Sequence, residues 1–172
     1  MTALVRPFRP GDEDAVLAVV LAAFTGPGRD GSEEVDLVRR TWQCAAPDAR
    51  LELVAVEGEA LVAHLAAAPG TLDGHPTDVA GVAPVCVAPE HQRRGVGTML
   101  LRELIGRAGA RGRPLLVLLG DPAYYGRVGF GPAGARGLWY PPAGRDDPHF
   151  MARPLAGDDG SRRGEFGYCW EA

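Results

Sequence analysis

The stretch Val85-Cys86-Val87-Ala88-Pro89-Glu90-His91-Gln92-Arg93-Arg94-Gly95-Val96-Gly97-Thr98 constrains this chain more than any other. An apolar run ends at a proline, a polar turn follows, and an apolar pattern of helical period continues behind two glycines. The pattern predicts a buried strand, a loop with exposed backbone, and a helix over about residues 96 to 110. Val96, Leu100, Leu104 and Ala108 would form the buried face of that helix, with Arg102, Glu103 and Arg107 toward water. Free N–H groups at a helix start, together with the helix dipole, favour a phosphate. Glycine lets a ligand come close to the backbone with no side chain in the way.

The bulk of the chain is that of one soluble domain over residues 1 to 172 with a real hydrophobic core: 46% of it is hydrophobic and 23% charged. A formal net charge of −4 argues against nucleic-acid binding through a basic surface. Cys44, Cys86 and Cys169 are odd in number and widely spaced, which fits reduced thiols in a cytoplasm rather than a disulfide framework. The N-terminus lacks the pattern of a secretion signal, and no apolar run approaches the ~18 residues of a membrane span. The expectation is a cytoplasmic protein without a membrane partner. All 18 basic residues are arginine. A GC-rich genome is the plain origin of that bias, but its consequence stands. Without lysine there is no P-loop lysine, no kinase nucleotide lysine and no Schiff-base chemistry. No His, Cys or Asp cluster has metal-ligand spacing, so no metal is expected.

Residues 3 to 6 read as a short strand ending at Pro7. A helix then opens at Gly11 or Asp12 and runs to Phe24, apolar nearly all round and so expected to be well buried. Residues 26 to 31 read as a loop, and 32 to 44 as an amphipathic helix. Strands are predicted over 51–57 and 61–68, joined at Glu57-Gly58-Glu59, and over 79–87 after a turn at residues 72 to 75. Pro84 sits inside the last of these and cannot donate to a ladder, so a bulge or local parting is expected there. Residues 115 to 119 read as a buried strand, followed by a short helix from Pro122 to about Val128, capped by Asp121 and ended by Gly129. Residues 131 to 148, rich in Gly and Pro, read as a long functional loop, with Trp139 and Tyr140 as a candidate wall of a binding site. Closing strands are expected at about 149–155 and 165–170.

Two familiar phosphate loops fail to match. The P-loop pattern lacks its lysine, and the dinucleotide fingerprint is half present, since Gly95 and Gly97 are followed by Leu100 where a third glycine belongs. Two glycines in a turn are, by themselves, as readily a structural cap. The wider order, strand, Pro, Glu, His, then Gln92-Arg93-Arg94-Gly95-Val96-Gly97 and a helix, resembles motif A of the GNAT superfamily of acyl-CoA-dependent N-acetyltransferases. Downstream, Gly120-Asp121-Pro122-Ala123-Tyr124-Tyr125-Gly126-Arg127-Val128-Gly129-Phe130 resembles a later motif of that family, and its wording is similar to the YhbS-like branch. The match in order extends over nearly the whole chain, with the core motifs at 79–130.

The resemblance implies an α/β fold of GNAT type: a mixed, mostly antiparallel sheet of about seven strands, helices on both faces, and a splay between the central strands. It implies an enzyme, an acyltransferase that moves acetyl from acetyl-CoA directly to an amine through a ternary complex. It places Val85, Cys86, Val87, Gln92, Arg93, Arg94, Gly95, Val96, Gly97 and Thr98 at the cofactor. It makes the Val87 N–H an oxyanion donor and Tyr125 the general acid. Tyr124 reads rather as packing. Arg93 stands where many members have glycine, and Asp121 where many carry asparagine. Glu52, His64, Glu90 and His91 are candidates by type for a general base, but none is singled out. His64, inside an apolar run, reads more readily as a hydrogen-bonded core histidine. The acceptor would be an amine on a small molecule or peptide, and the reading leaves room for a homodimer. The competing reading is a non-catalytic acyl-CoA-binding sensor.

Overall fold

The computed structural model describes residues 2–171. In chain order the elements are β1 (Leu4–Pro7), α1 (Glu13–Phe24), β2 (Thr25–Gly26), β3 (Arg29–Asp30), α2 (Ser32–Cys44), β4 (Leu51–Glu57), β5 (Ala60–Leu72), β6 (His75–Val87), α3 (Val96–Ala110), β7 (Leu115–Leu119), α4 (Pro122–Tyr125), β8 (Gly131–Pro132), β9 (Leu138–Trp139), β10 (Phe150–Pro154) and β11 (Gly164–Gly167). Single 3-10 turns lie at Pro89–His91, Gly126–Val128, Ala133–Arg136 and Cys169–Glu171. Residues cluster into two compact units, Met1–Ala67 with Ala83–Leu104, and Ala68–Val82 with Ile105–Ala172. Each is described in turn. No helix among the described residues is long and apolar enough to cross a membrane.

In the first unit the strand order is β1-β4-β5-β6. β1 pairs antiparallel with β4 from Leu4↔Val56 to Pro7↔Leu53, and β4 with β5 from Leu51↔Ala67 to Glu57↔Ala60. The turn into α1 is fixed by Asp12, whose carboxylate accepts from both guanidinium nitrogens of Arg6 at 2.7 and 2.9 Å and from the Arg9 amide at 2.8 Å. The Arg6 hydrogen bonds, outweighing desolvation, hold the Asp12 carboxyl below the usual carboxylate range. Val16, Val19 and Val20 of α1 pack with Val35 and Val38 of α2 and with Val54, Cys86 and Ala88. Each buried valine contributes roughly 1.5–3 kcal/mol. Leu21 departs from the expectation that α1 is buried all round. It is 44% exposed, because the core takes the narrower i, i+3, i+4 stripe. The expected loop at 26 to 31 contains the small antiparallel ladder of β2 with β3.

A polar network lies within this apolar unit. His64 is fully buried on β5, and its Nε2 lies 2.8 Å from Glu52 Oε1. The same oxygen accepts from Trp42 Nε1 at 2.8 Å, and Arg50 Nε stands 3.4 Å from Glu52 Oε2. His64 is thus the hydrogen-bonded core histidine its apolar setting suggested. Cys86 donates its S–H to the His64 carbonyl at 3.5 Å, and burial pushes its thiol pKa up to about 12. Cys86 is free, whereas Cys44 and Cys169 are disulfide-bonded, which corrects the expectation of three reduced thiols.

In the second unit the order is β5-β6-β7-β10-β8. β6 and β7 pair in parallel at Ala80↔Leu116 and Gly81↔Val117, while β7 with β10 and β10 with β8 are antiparallel. β11 adds to β5 antiparallel at Phe166↔Leu72 and to β9 in parallel. The sheet is mixed and mostly antiparallel, as expected, but among the described residues nine strands join it rather than about seven. The surplus comes largely from the Gly- and Pro-rich segment after residue 130, which contains β8 and β9 as well as loop. β6 runs as one strand through Pro84, where the sequence suggested a bulge or parting, and its register with β7 ends at Gly81.

Aromatic side chains build the interior of this unit near its C-terminal end. Phe166 and Tyr168 meet edge-on at 5.1 Å, Tyr168 meets Tyr140 edge-on at 5.3 Å, and Tyr168 stacks on Trp170 at 4.4 Å. Such pairs are worth about 0.5–1.5 kcal/mol each beyond the area they bury. They require bare backbone on the facing strands. A Cβ on Gly81 would stand 2.5 Å from Tyr168 Cε1, and one on Gly70 would collide with Phe166 and with the Gly167 carbonyl. The closing strand stops at Gly167 instead of reaching residue 170, because the 3-10 turn Cys169–Glu171 folds back.

The buried Glu52 network gives a direct stability test. Glu52→Ala leaves the Trp42 N–H and His64 Nε2 buried without their shared acceptor. It should cost about 2–4 kcal/mol of unfolding free energy, read from urea denaturation at neutral pH.

Candidate active site

The segment singled out first has the predicted form: strand, proline turn, irregular loop, helix. Val85 and Val87 are half-buried, Cys86 is buried, and Gln92, Arg93, Arg94 and Gly95 are exposed in sequence. The amides of Ala88 and His91 are spent on the Val62 and Ala88 carbonyls at 2.8 Å each, and the Gln92 side-chain amide donates to the Val87 carbonyl at 3.1 Å. These bonds turn the chain off the strand and bring it to the helix start. The first amides of α3 have no intrahelical acceptor. Val96 and Gly97 are buried and Thr98 is half-buried.

Two residues turn the loop through the left-handed region, Gly95 at φ +83° and Arg93 at φ +58°. Glycine adopts this without cost, whereas a side-chain-bearing residue pays roughly 1–2 kcal/mol. Arg93 therefore reaches, at some strain, a backbone shape that glycine adopts freely. A Cβ on Gly95 would meet nothing within 4 Å, so glycine is needed there for the turn and the space outside it is open.

Glu57, at the end of β4, holds this loop from the side. Its Oε1 lies 3.2 Å from Arg94 Nη2 and its Oε2 3.1 Å from His91 Nε2. Desolvation would raise the Glu57 carboxyl, but Arg94 and His91 act against it and leave it below the usual range. The pairing is present above that lowered pKa and is lost as pH falls through it. Sequence reasoning saw in Glu57 only a hairpin turn. The signal it missed is a carboxylate on a strand end facing two basic residues 34 and 37 positions later.

Tyr125 belongs to the second unit. Asp121 caps its short helix by accepting from the Ala123 amide at 2.9 Å. The Tyr125 ring meets Tyr124 edge-on at 4.9 Å and Phe130 at 6.0 Å, and it covers the bare backbone of Gly120. Burial first, then Tyr124 and Asp121, push its pKa up to about 12. It keeps its proton throughout the physiological range.

Three of the four base candidates are engaged elsewhere: Glu52 and His64 hold each other in the core, and His91 lies 3.1 Å from Glu57. Glu90 is exposed, with its carboxylate 3.6 Å from His91 Nδ1. Trp139, expected at the wall of a binding site, has its face covered by the Arg145 guanidinium at 3.7 Å. Among the described residues no group of three or more His, Cys, Asp or Glu could hold a metal ion. The donors on the loop, backbone amides with Gln92, Arg93 and Arg94, suit a diphosphate.

Comparison with known proteins identifies the family. Residues 4–133 match the family described as acetyltransferase (GNAT) domain. An uncharacterized N-acetyltransferase of Streptomyces avermitilis is 34% identical over 138 residues, covering 76% of this chain and 32% of its own length. The chain thus spans about a third of that relative. The uncharacterized N-acetyltransferase YhbS of Escherichia coli K12 is 32% identical over 81 residues, 46% of this chain and 48% of that protein. Among solved structures, E. coli YhbS in complex with CoA superposes with a TM-score of 0.83 at 27% identity, covering 96% of this chain and 89% of that one. A GNAT family acetyltransferase of Brucella melitensis in complex with acetyl-CoA gives 0.78 at 27% identity, over 97% and 96%. The chain belongs to the GNAT family of acetyltransferases and is similar in fold to YhbS.

Proposed function

We propose that this protein transfers an acetyl group from acetyl-CoA directly to an amine in a ternary complex. The observation that carries the reading is the left-handed, glycine-opened loop Gln92–Thr98 at the start of α3, held by Glu57 and rich in outward donors. That the superposed YhbS structure holds CoA, and the Brucella structure acetyl-CoA, supports it.

Acetyl-CoA supplies the activated acetyl group and the leaving thiolate. Gln92, Arg93, Arg94 and the amides of Gly95, Val96, Gly97 and Thr98 hold its diphosphate, and Val85 and Cys86 line the neighbouring strand. The amine lone pair forms a C–N bond at the thioester carbon, and the Val87 N–H donates to the carbonyl oxygen as negative charge develops there. The C–S bond then breaks, sulfur leaves with the electron pair, and the Tyr125 O–H gives it a proton. The extra proton of the new ammonium passes to solvent, which needs no fixed base.

A tyrosine at about 12 is a weak acid toward a thiolate whose ordinary pKa is about 8.5. Burial, however, raises both groups, as Cys86 in this same chain shows with a thiol also at about 12. A thiolate expelled into an equally dry place would be basic enough to take the proton.

Free-thiol release from acetyl-CoA across a panel of amines and peptides tests the reading. Tyr125→Phe should lower kcat by about 10²-fold while the Kd for CoA stays within twofold. Binding of CoA with no turnover on any acceptor would favour the sensor instead. Because the Tyr125 pKa is raised, its acid form should persist to about pH 11, so the pH profile of kcat should show no Tyr125 limb between pH 6 and 10. Gly95→Ala should strain the loop by about 1 kcal/mol and raise the KM for acetyl-CoA more than it lowers kcat, measured by steady-state kinetics.

A further inference from the structure

The second unit contains a cavity of about 400 Å³ whose walls are of two kinds. Tyr140, Pro141, Pro142 and Phe166 make it apolar and aromatic, while Glu165 and Glu171 bring carboxylates from β11 and the last 3-10 turn. Among the described residues no basic side chain lines it. Glu171 is fixed in place: Tyr140 donates its hydroxyl proton to Oε1 at 2.6 Å, and the Tyr168 amide donates to Oε2 at 2.8 Å. Burial and this bond to Glu171 push the Tyr140 hydroxyl well above its ordinary pKa, so it remains a donor. A carboxylate already oriented beside aromatic rings binds a cation without first paying to be ordered.

The cavity's Tyr140 is linked toward the candidate acid through Tyr168. Tyr140 meets Tyr168 edge-on, Tyr168 covers Gly81 where the register of β6 with β7 ends, and Tyr125 covers Gly120 just beyond β7. Burial, then Tyr140, Glu171 and Tyr125, raise the Tyr168 hydroxyl. The three tyrosines and Glu171 therefore form one neighbourhood within this unit.

A carboxylate that binds an ammonium group also raises that group's pKa and keeps it protonated. A protonated nitrogen has no lone pair with which to attack a thioester. The cation held at Glu171 and Glu165 is thus a different nitrogen from the one acetylated. Resting on the acetyltransferase reading above, we infer that this cavity is an anchoring subsite for an acceptor with two cationic centres, a diamine on a short apolar body. One ammonium is held at Glu165 and Glu171, and the other nitrogen, once neutral, takes the acetyl group.

The test compares 1,5-diaminopentane with pentylamine, which have the same carbon body and differ by one amine. With acetyl-CoA, kcat/KM should favour the diamine by about tenfold, the worth of one charge-assisted contact. In Glu165→Gln/Glu171→Gln that ratio should fall to about one. The Glu171→Gln amide oxygen can still accept one hydrogen bond, and Glu165→Gln alone, at an exposed site, should lower the ratio if the double variant fails to fold. Calorimetric titration of CoA-loaded protein with 1,5-diaminopentane reads the subsite without turnover, and its affinity should weaken about tenfold in the same variants. Turnover of both amines with equal kcat/KM, or an unchanged ratio in the variants, overturns the subsite and leaves the acetyltransferase reading standing. Calorimetric binding that the variants weaken, with no acetyl transfer to any amine, overturns that reading and supports the subsite.

Discussion

The arrangement of the candidate cofactor site depends on one backbone constraint, the left-handed turn at Arg93 and Gly95 that delivers the chain from β6 into α3. A strand and a helix of this length could be joined by many loops. This one reverses its backbone sense at Arg93 and Gly95, and the first amides of the helix that follows have no intrahelical acceptor. Glu57 fixes that geometry from the side by holding His91 and Arg94 together. It also sets a balance of charge, because Arg94 already has a carboxylate partner before any anion arrives, whereas Arg93 is exposed on a strained backbone. Preorganised backbone, rather than an excess of positive side chains, is what the loop offers.

In the second unit, packing works by the same device of bare backbone. Gly70, Gly81 and Gly120 have no Cβ because Phe166, Tyr168 and Tyr125 occupy that space. The aromatic side chains make close contact with strand backbone and leave polar tips where they matter. Tyr140 reaches Glu171, and Tyr125 keeps a protonated hydroxyl in a desolvated place. A substitution at one of these glycines would act on the aromatic cluster before it acted on the strand.

The helices and most strands were legible because their apolar residues repeat at the right period. The stripe Val96, Leu100, Leu104 and Ala108 is buried throughout, and the run Leu115 to Leu118 is likewise buried. What stayed hidden depends on distant partners. Nothing local in Glu57-Gly58-Glu59 reveals that Glu57 faces Arg94. β8 and β9 are two residues each and are formed by pairing with β10 and β11, not by local propensity. Leu21 looked buried because periodicity cannot say how wide the covered stripe is. The candidate phosphate loop was readable since its glycines, its polar turn and its helix are contiguous. The cavity at Glu171 was not, since its walls come from segments some hundred residues apart.

Titration of isotopically labelled protein with CoA, followed through backbone amide resonances, tests the central claim most directly. The account predicts that the largest shifts fall on Arg94, Gly95, Val96, Gly97 and Thr98, and that an equal concentration of NADPH leaves those amides nearly unmoved. CoA-induced shifts elsewhere with these amides silent, or an equal and saturable response to NADPH, would contradict it.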